Sequence, residues 1–182
     1  MNTAKAALKR IDVPVEQTWN RESLFESWEA FQMELDSISD TLSVLENFAG
    51  KLAESPRTVV DWLEVYGQVR RRIGKLMVFV RMATAVDTND VEAKAKMGQV
   101  MGLSSRINAT VAFAEPELLT LGDKLLDWAK SESDLTIFMH YFEDLLRQQA
   151  HTLSPEVEKV LGMLQDPFSG TFQTYRQLTT VT

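Results

Sequence analysis

From Leu24 to Leu52 the apolar residues recur at alternating spacings of four and three: Leu24, Trp28, Phe31, Leu35, Ile38, Leu42, Leu45, Ala49 and Leu52. That rhythm predicts a helix over 21–53 with nine apolar side chains on one seam, and with Glu26, Glu29, Glu34, Asp36, Asp40 and Glu46 off it. Such a helix would reach about 45–50 Å at 1.5 Å per residue. Asn20 suits its N-cap, and Trp19 could close over Leu24 as a hydrophobic staple. Two readings of the seam stay open. It can be a strut inside one helical bundle or the stripe of a dimerising coiled coil.

Ser55-Pro56 stops this element and caps a second helix from Arg57 to about Val86, whose stripe is Val59, Leu63, Tyr66, Val69, Ile73, Met77 and Val80. A turn at 87–90 follows, in which Asn89 and Glu92 have the spacing of a capping box. The third helix, Val91 to about Ala114, is rich in small residues. Because glycine costs a helix about 1 kcal/mol against alanine, Gly98 and Gly102 imply a neighbour in close approach. Glu115-Pro116 opens a fourth helix carrying Leu118, Leu121, Leu125 and Trp128, and 131–134 breaks it. A fifth has Leu135, Phe138, Phe142, Leu145 and Leu146 inward. Ser154-Pro155-Glu156 has the capping, φ and charge signals of a helix start, and the sixth helix ends at Gln165-Asp166-Pro167. The expected fold is all-α, an elongated antiparallel bundle of about six helices with little or no β structure.

A length of 182 residues fits one helical domain over 1–182. Residues 1–12 read as a mobile leader, and 168–182 as a boundary segment leading into another domain. The net charge of −7 argues against general nucleic-acid affinity, which depends on Lys and Arg neutralising phosphates. No apolar run approaches the roughly 20 residues that span a bilayer. The absence of cysteine removes disulfide and thiolate chemistry and fits a cytoplasmic protein.

Candidate chemistry is sparse. The two histidines are His140 and His151. His140, Glu143 and Asp144 are spaced for a carboxylate–histidine site on one helix, but zinc normally needs three protein ligands and His151 lies past that helix end. A surface histidine and a junction histidine fit better. Arg70, Arg71, Arg72 and Lys75 could hold a substrate carboxylate or form a solvated face answering the acidic first helix. Trp19, Trp28, Trp62 and Trp128 lie on or near apolar stripes and read as core. Neither a Gly-x-Ser-x-Gly elbow nor a phosphate-cradling glycine loop occurs. The residues alone give a helical bundle without an active site.

Short motifs add a further layer. Arg147, His151, Leu153, Ser154, Glu156 and Glu158 match an Arg-x-x-x-His-x-Leu-Ser-x-Glu-x-Glu pattern, and Arg10, Val13, Pro14, Glu16 and Trp19 match Arg-x-x-Val-Pro-x-Glu-x-x-Trp. Between them Phe48-Ala49-Gly50-Lys51-Leu52, Val86-Asp87-Thr88 and Pro116-Glu117-Leu118-Leu119 fall in the same order. Together they resemble the helical N-terminal domain of oligoendopeptidase F-like, thimet-type zinc metallopeptidases. The zinc-binding HExxH of that family occurs nowhere in this chain. The resemblance implies a non-catalytic lobe forming one wall of a substrate channel, with the catalytic lobe of the same polypeptide and short peptides as partners, and neither nucleic acid nor membrane. It implies zinc in the full enzyme, none in this chain, and no catalytic, cofactor-binding or metal residue here. The alternative is a non-enzymatic adaptor or dimerisation module built on the Leu24–Leu52 seam.

Overall fold

The structure, a computed structural model, describes residues 13–149 except position 88, together with Leu164, Gly170, Thr171, Thr174, Tyr175 and Leu178. Among the described residues there are seven α-helices and no strand: α1 (Trp28–Glu46), α2 (Pro56–Val86), α3 (Val91–Thr110), α4 (Ala114–Leu119), α5 (Asp123–Ser131), α6 (Ser133–Thr136) and α7 (Met139–Gln149). None of the described helices is long and apolar enough to cross a membrane. The expected sixth helix apart from Leu164, the Ser154 cap, the 1–12 leader and most of 168–182 lie outside the described residues.

The first three helices form an up–down–up layer, and side-chain pairs fix their directions. Glu34 on α1 meets Arg72 on α2, while Phe31 stacks on Phe79, so position numbers rise on one helix as they fall on the other. Gln32 meets Lys96 and Ser39 meets Arg106, so α1 and α3 run parallel. From Phe31 to Leu45 the seam is consumed inside this layer. Phe31, Ile38 and Leu45 are 0% exposed, and Leu35 and Leu42 are buried with them against α2 and α3. That burial within one chain removes the surface on which a seam-built dimer would rest.

The seam's helix is shorter than its periodicity predicts. A 3-10 turn at Arg21–Ser23 comes first, where the Asn20 side chain accepts from Ser23 N. Ser27, in extended backbone, then starts α1 with its hydroxyl accepting from Ala30 N at 3.2 Å. After Glu46 the chain makes a run of turns containing Gly50 at φ +78°, a conformation that L side chains rarely adopt. Ala49 is consequently exposed, whereas Leu52 is buried from a turn rather than from a helix. Trp19 is 71% exposed and does not close over Leu24 as a buried staple.

Ser55 caps α2 as expected, its Oγ accepting from Thr58 N at 3.1 Å with Pro56 in the first turn. The buried face of α2 is wider than the predicted stripe and adds Val60, Trp62, Leu76, Phe79 and Ala83, because this helix is covered on more than one side. The cap of α3 is Asp90, not Asn89: Asp90 Oδ1 accepts from Ala93 N at 2.9 Å, while Asn89 N donates to Asp87 Oδ1. Gly98 and Gly102 face open space, since a Cβ built at either would meet nothing within 4 Å. The expected close approach is absent there.

The remaining helices are short because the backbone is turned repeatedly. Gly122 at φ +53° separates α4 from α5, dividing the single helix expected over that stretch. Extended Glu132 separates α5 from α6, and Thr136 Oγ1 donates back to Ala129 O at 3.0 Å. Leu118, Leu125, Ala129, Leu135 and Phe142 are all 0% exposed, so this half has a dense interior of its own.

Candidate functional site

The residues singled out for metal or anion chemistry are largely engaged elsewhere or spread over the surface. His140 and Glu143 are exposed on α7. Asp144 accepts from Arg147 and Gln148, and the Arg147 hydrogen bond holds its carboxyl below the usual carboxylate range. No group of three or more His, Asp or Glu among the described residues stands close enough to hold a metal ion. His151 lies outside the described residues.

The basic cluster on α2 divides. Arg72 grips Glu34 through two bonds, Nε–Oε1 at 2.7 Å and Nη2–Oε2 at 3.0 Å, and also donates to Ser37 Oγ at 2.9 Å. This bidentate bond lowers the Glu34 pKa and raises that of Arg72. Lys75 Nζ sits 4.5 Å from the centre of the Phe25 ring. Arg70, Arg71 and Lys75 are exposed, as on a solvated face, and only Arg72 is partly buried.

The short motifs meet each other in space. Glu117 on α4 reaches the turns after α1, where Gly50 N donates to Oε1 at 2.5 Å and Leu52 N to Oε2 at 3.1 Å. One carboxylate thereby satisfies two backbone donors that the turning chain cannot pair within a helix. Motifs separated by more than sixty residues are thus joined by one side chain. A second junction is a cavity of about 560 Å³ lined by Val15, Glu16 and Trp19 of the opening motif and by Val86 and Asp87 at the end of α2. Arg21 on its rim lies over the rings of Trp28 and Phe79, at 5.5 and 5.2 Å from their centres.

A smaller cavity, about 360 Å³, lies where α2, the α3–α4 corner and α7 converge. Trp62 and Tyr66 line one side with stacked rings, 5.1 Å apart and 14° from parallel. Tyr141, Asn108 and Glu115 supply its polar groups. Burial, then the charge of Glu115 and the neighbouring Tyr66, push the Tyr141 phenol up to about 12. The sequence pattern puts Tyr66 in a core stripe and Glu115 at a helix start, and gives Tyr141 no role. Their convergence depends on the α3–α4 corner, which periodicity does not reveal.

These features can be set beside known proteins. The model of the family described as "Oligopeptidase F" (an N-terminal peptidase family) matches residues 117–182, beginning at the glutamate that joins the two motifs. Oligopeptidase PepF of Bacillus subtilis is 25% identical over 93% of this chain, which spans 25% of that protein's length. The plasmid oligoendopeptidase F of Lactococcus lactis subsp. cremoris is likewise 25% identical over 93% of the chain, covering 28% of its length. In three dimensions the crystal structure of oligoendopeptidase-F from Enterococcus faecium superposes with a TM-score of 0.67 at 25% identity, over 82% of this chain and 30% of that one. The chain spans about a quarter of the length of the curated relatives it matches. In sequence and in fold, it corresponds to the N-terminal domain of an oligoendopeptidase F-like peptidase.

Proposed function

We propose that this chain is the non-catalytic N-terminal lobe of a zinc-dependent oligoendopeptidase, forming one wall of the channel through which short peptides reach the catalytic lobe of the same polypeptide. The observation that carries this reading is the extended similarity to oligoendopeptidases over 93% of the chain, accompanied by only about a quarter of their length. Zinc belongs to the other lobe on this reading. The described donor set offers no three-ligand group, and the sequence has no HExxH, so no chemical step is assigned to residues of this chain. Its contribution is steric and electrostatic. A prepacked helical wall narrows access, admitting extended peptides and excluding folded proteins.

A quenched-fluorescent peptide assay tests this with four arms: this chain, the catalytic portion of its polypeptide, both together, and both with a chelator. The mixture should cleave short peptides in a chelator-sensitive way, and this chain alone should not. Chelator-sensitive turnover by the 182-residue chain alone would overturn the proposal.

A further inference from the structure

We propose that the cavity between α2, the α3–α4 corner and α7 is a subsite for a cationic side chain of a peptide, with Trp62 and Tyr66 as its aromatic wall and Glu115 as its counter-charge. The proposal rests on the reading of this chain as a peptide-channel wall and adds a ligand preference to it. Three features of the cavity select a cation. Glu115 is the one charged residue in its lining, and among the described residues it makes no ion pair. The partly exposed Tyr66 ring, backed by the buried Trp62 ring stacked on it, borders the space, and aromatic faces attract ammonium and guanidinium groups. Lysine and arginine heads carry only donors, so they need acceptors. Glu115, the Asn108 carbonyl and the Tyr141 hydroxyl oxygen can provide them.

Size and charge exclude the other ligand classes. A volume of about 360 Å³ lies at the lower end of small-molecule sites, room for one long side chain rather than a folded element. An acidic side chain would meet Glu115 with like charge. A purely apolar one would leave that carboxylate partly desolvated without a partner. The Tyr141 phenol, pushed up to about 12 first by burial and then by the charge of Glu115, remains neutral at physiological pH and keeps its oxygen as an acceptor. Trp62 Nε1–H, buried with no acceptor among the described residues, adds an unpaired donor beside the site, to which a peptide carbonyl could be offered after a small shift.

The test uses the 182-residue chain and two acetylated, amidated five-residue peptides that differ only in a central arginine or glutamine. Binding is followed by nuclear magnetic resonance titration. The arginine peptide should bind at least tenfold more tightly and shift resonances of Tyr66, Tyr141 and Glu115. Glu115→Gln should remove most of that preference, while Asp87→Asn, in the larger cavity, should leave it intact. Circular dichroism confirms that each variant is folded. Equal binding of the two peptides, no detectable binding of either, or a preference that survives Glu115→Gln would each overturn the subsite. Because no catalysis is read, failure here leaves the channel-wall reading to its own assay.

Discussion

The two halves of the molecule are stabilised differently. Residues 28–110 form three long helices whose seam from Phe31 to Leu45 follows from periodicity, and Phe25, just before them, joins Trp28, Phe31 and Phe79 in a cluster with ring-centre distances of 5.0–5.7 Å. Residues 114–149 form four short helices that owe their arrangement to a positive-φ glycine, capping hydroxyls and one carboxylate reaching into the other half. Long amphipathic helices can be placed by their apolar faces alone. Short ones cannot, because four to eleven residues offer too few buried side chains to fix a crossing. Polar links between the halves therefore carry information that the apolar pattern does not.

The largest predicted effects probe whether the short-helix half is a true core. Phe31→Ala should cost about 3–5 kcal/mol and Leu125→Ala about 2–5 kcal/mol in urea unfolding. Both side chains are 0% exposed. A cost for Leu125→Ala below about 0.5 kcal/mol would show that 114–149 is loosely attached and break the comparison.

The link between the halves comes next. Glu117→Gln removes the charge and one acceptor from the pair of bonds to Gly50 and Leu52. It should cost about 1.5–3 kcal/mol. Hydrogen exchange at Gly50 and Leu52 should accelerate more than exchange within α2. Unchanged protection at those amides would reject the role assigned to the carboxylate.

Capping gives smaller effects. Ser55→Ala should cost about 0.5–2 kcal/mol, with Ser55→Asp much milder. At the next helix start, Asp90→Ala should be damaging in the same range while Asn89→Ala is nearly silent. Thermal melts in which Asn89→Ala is the worse of the two would restore the capping box that sequence spacing suggests. Gly98→Ala and Gly102→Ala should each stabilise by about 0.4–1 kcal/mol, because the added methyl meets nothing and the unfolded chain loses freedom.

The smallest effect is electrostatic. Glu34 and Arg72 are 27% and 31% exposed, so their pair should contribute about 0.2–1 kcal/mol and weaken with salt. The folded-state pKa of Glu34 lies below its unfolded value of about 4.3. The pair therefore stabilises fully above that value, and the contribution is lost as pH falls through the folded pKa. Glu34→Gln should flatten the acid limb of the stability profile slightly. A profile identical to wild type from pH 6 to 2 would contradict the pairing.

Much of the long-helix half was legible in the sequence. The seam from Phe31 to Leu45, the Ser55-Pro56 start and the all-α class follow from spacing and capping chemistry. What periodicity overextended was the first helix, since Leu52 keeps the rhythm while being buried from a turn. The capping-box spacing misassigned Asn89, because Asp90 one residue later offers a better-placed carboxylate. Composition misread Gly98 and Gly102, as small residues permit close approach without requiring it. Of the candidate sites, Arg72 answered the acidic first helix, and the smaller cavity was invisible. Its rings and carboxylate come from α2, the α3–α4 corner and α7, which only the fold brings together.

The proposed function gives the motifs joined by Glu117 a place in a channel wall and no part in the chemistry. It is tested most directly by Glu117→Gln in the full-length polypeptide, with unfolding and peptide turnover measured on the same preparation. The expected result is a lower unfolding midpoint with turnover per folded molecule within about twofold of wild type. The opposite pattern, an unchanged midpoint with turnover reduced about a hundredfold or more, as loss of an acid–base group produces, would contradict it.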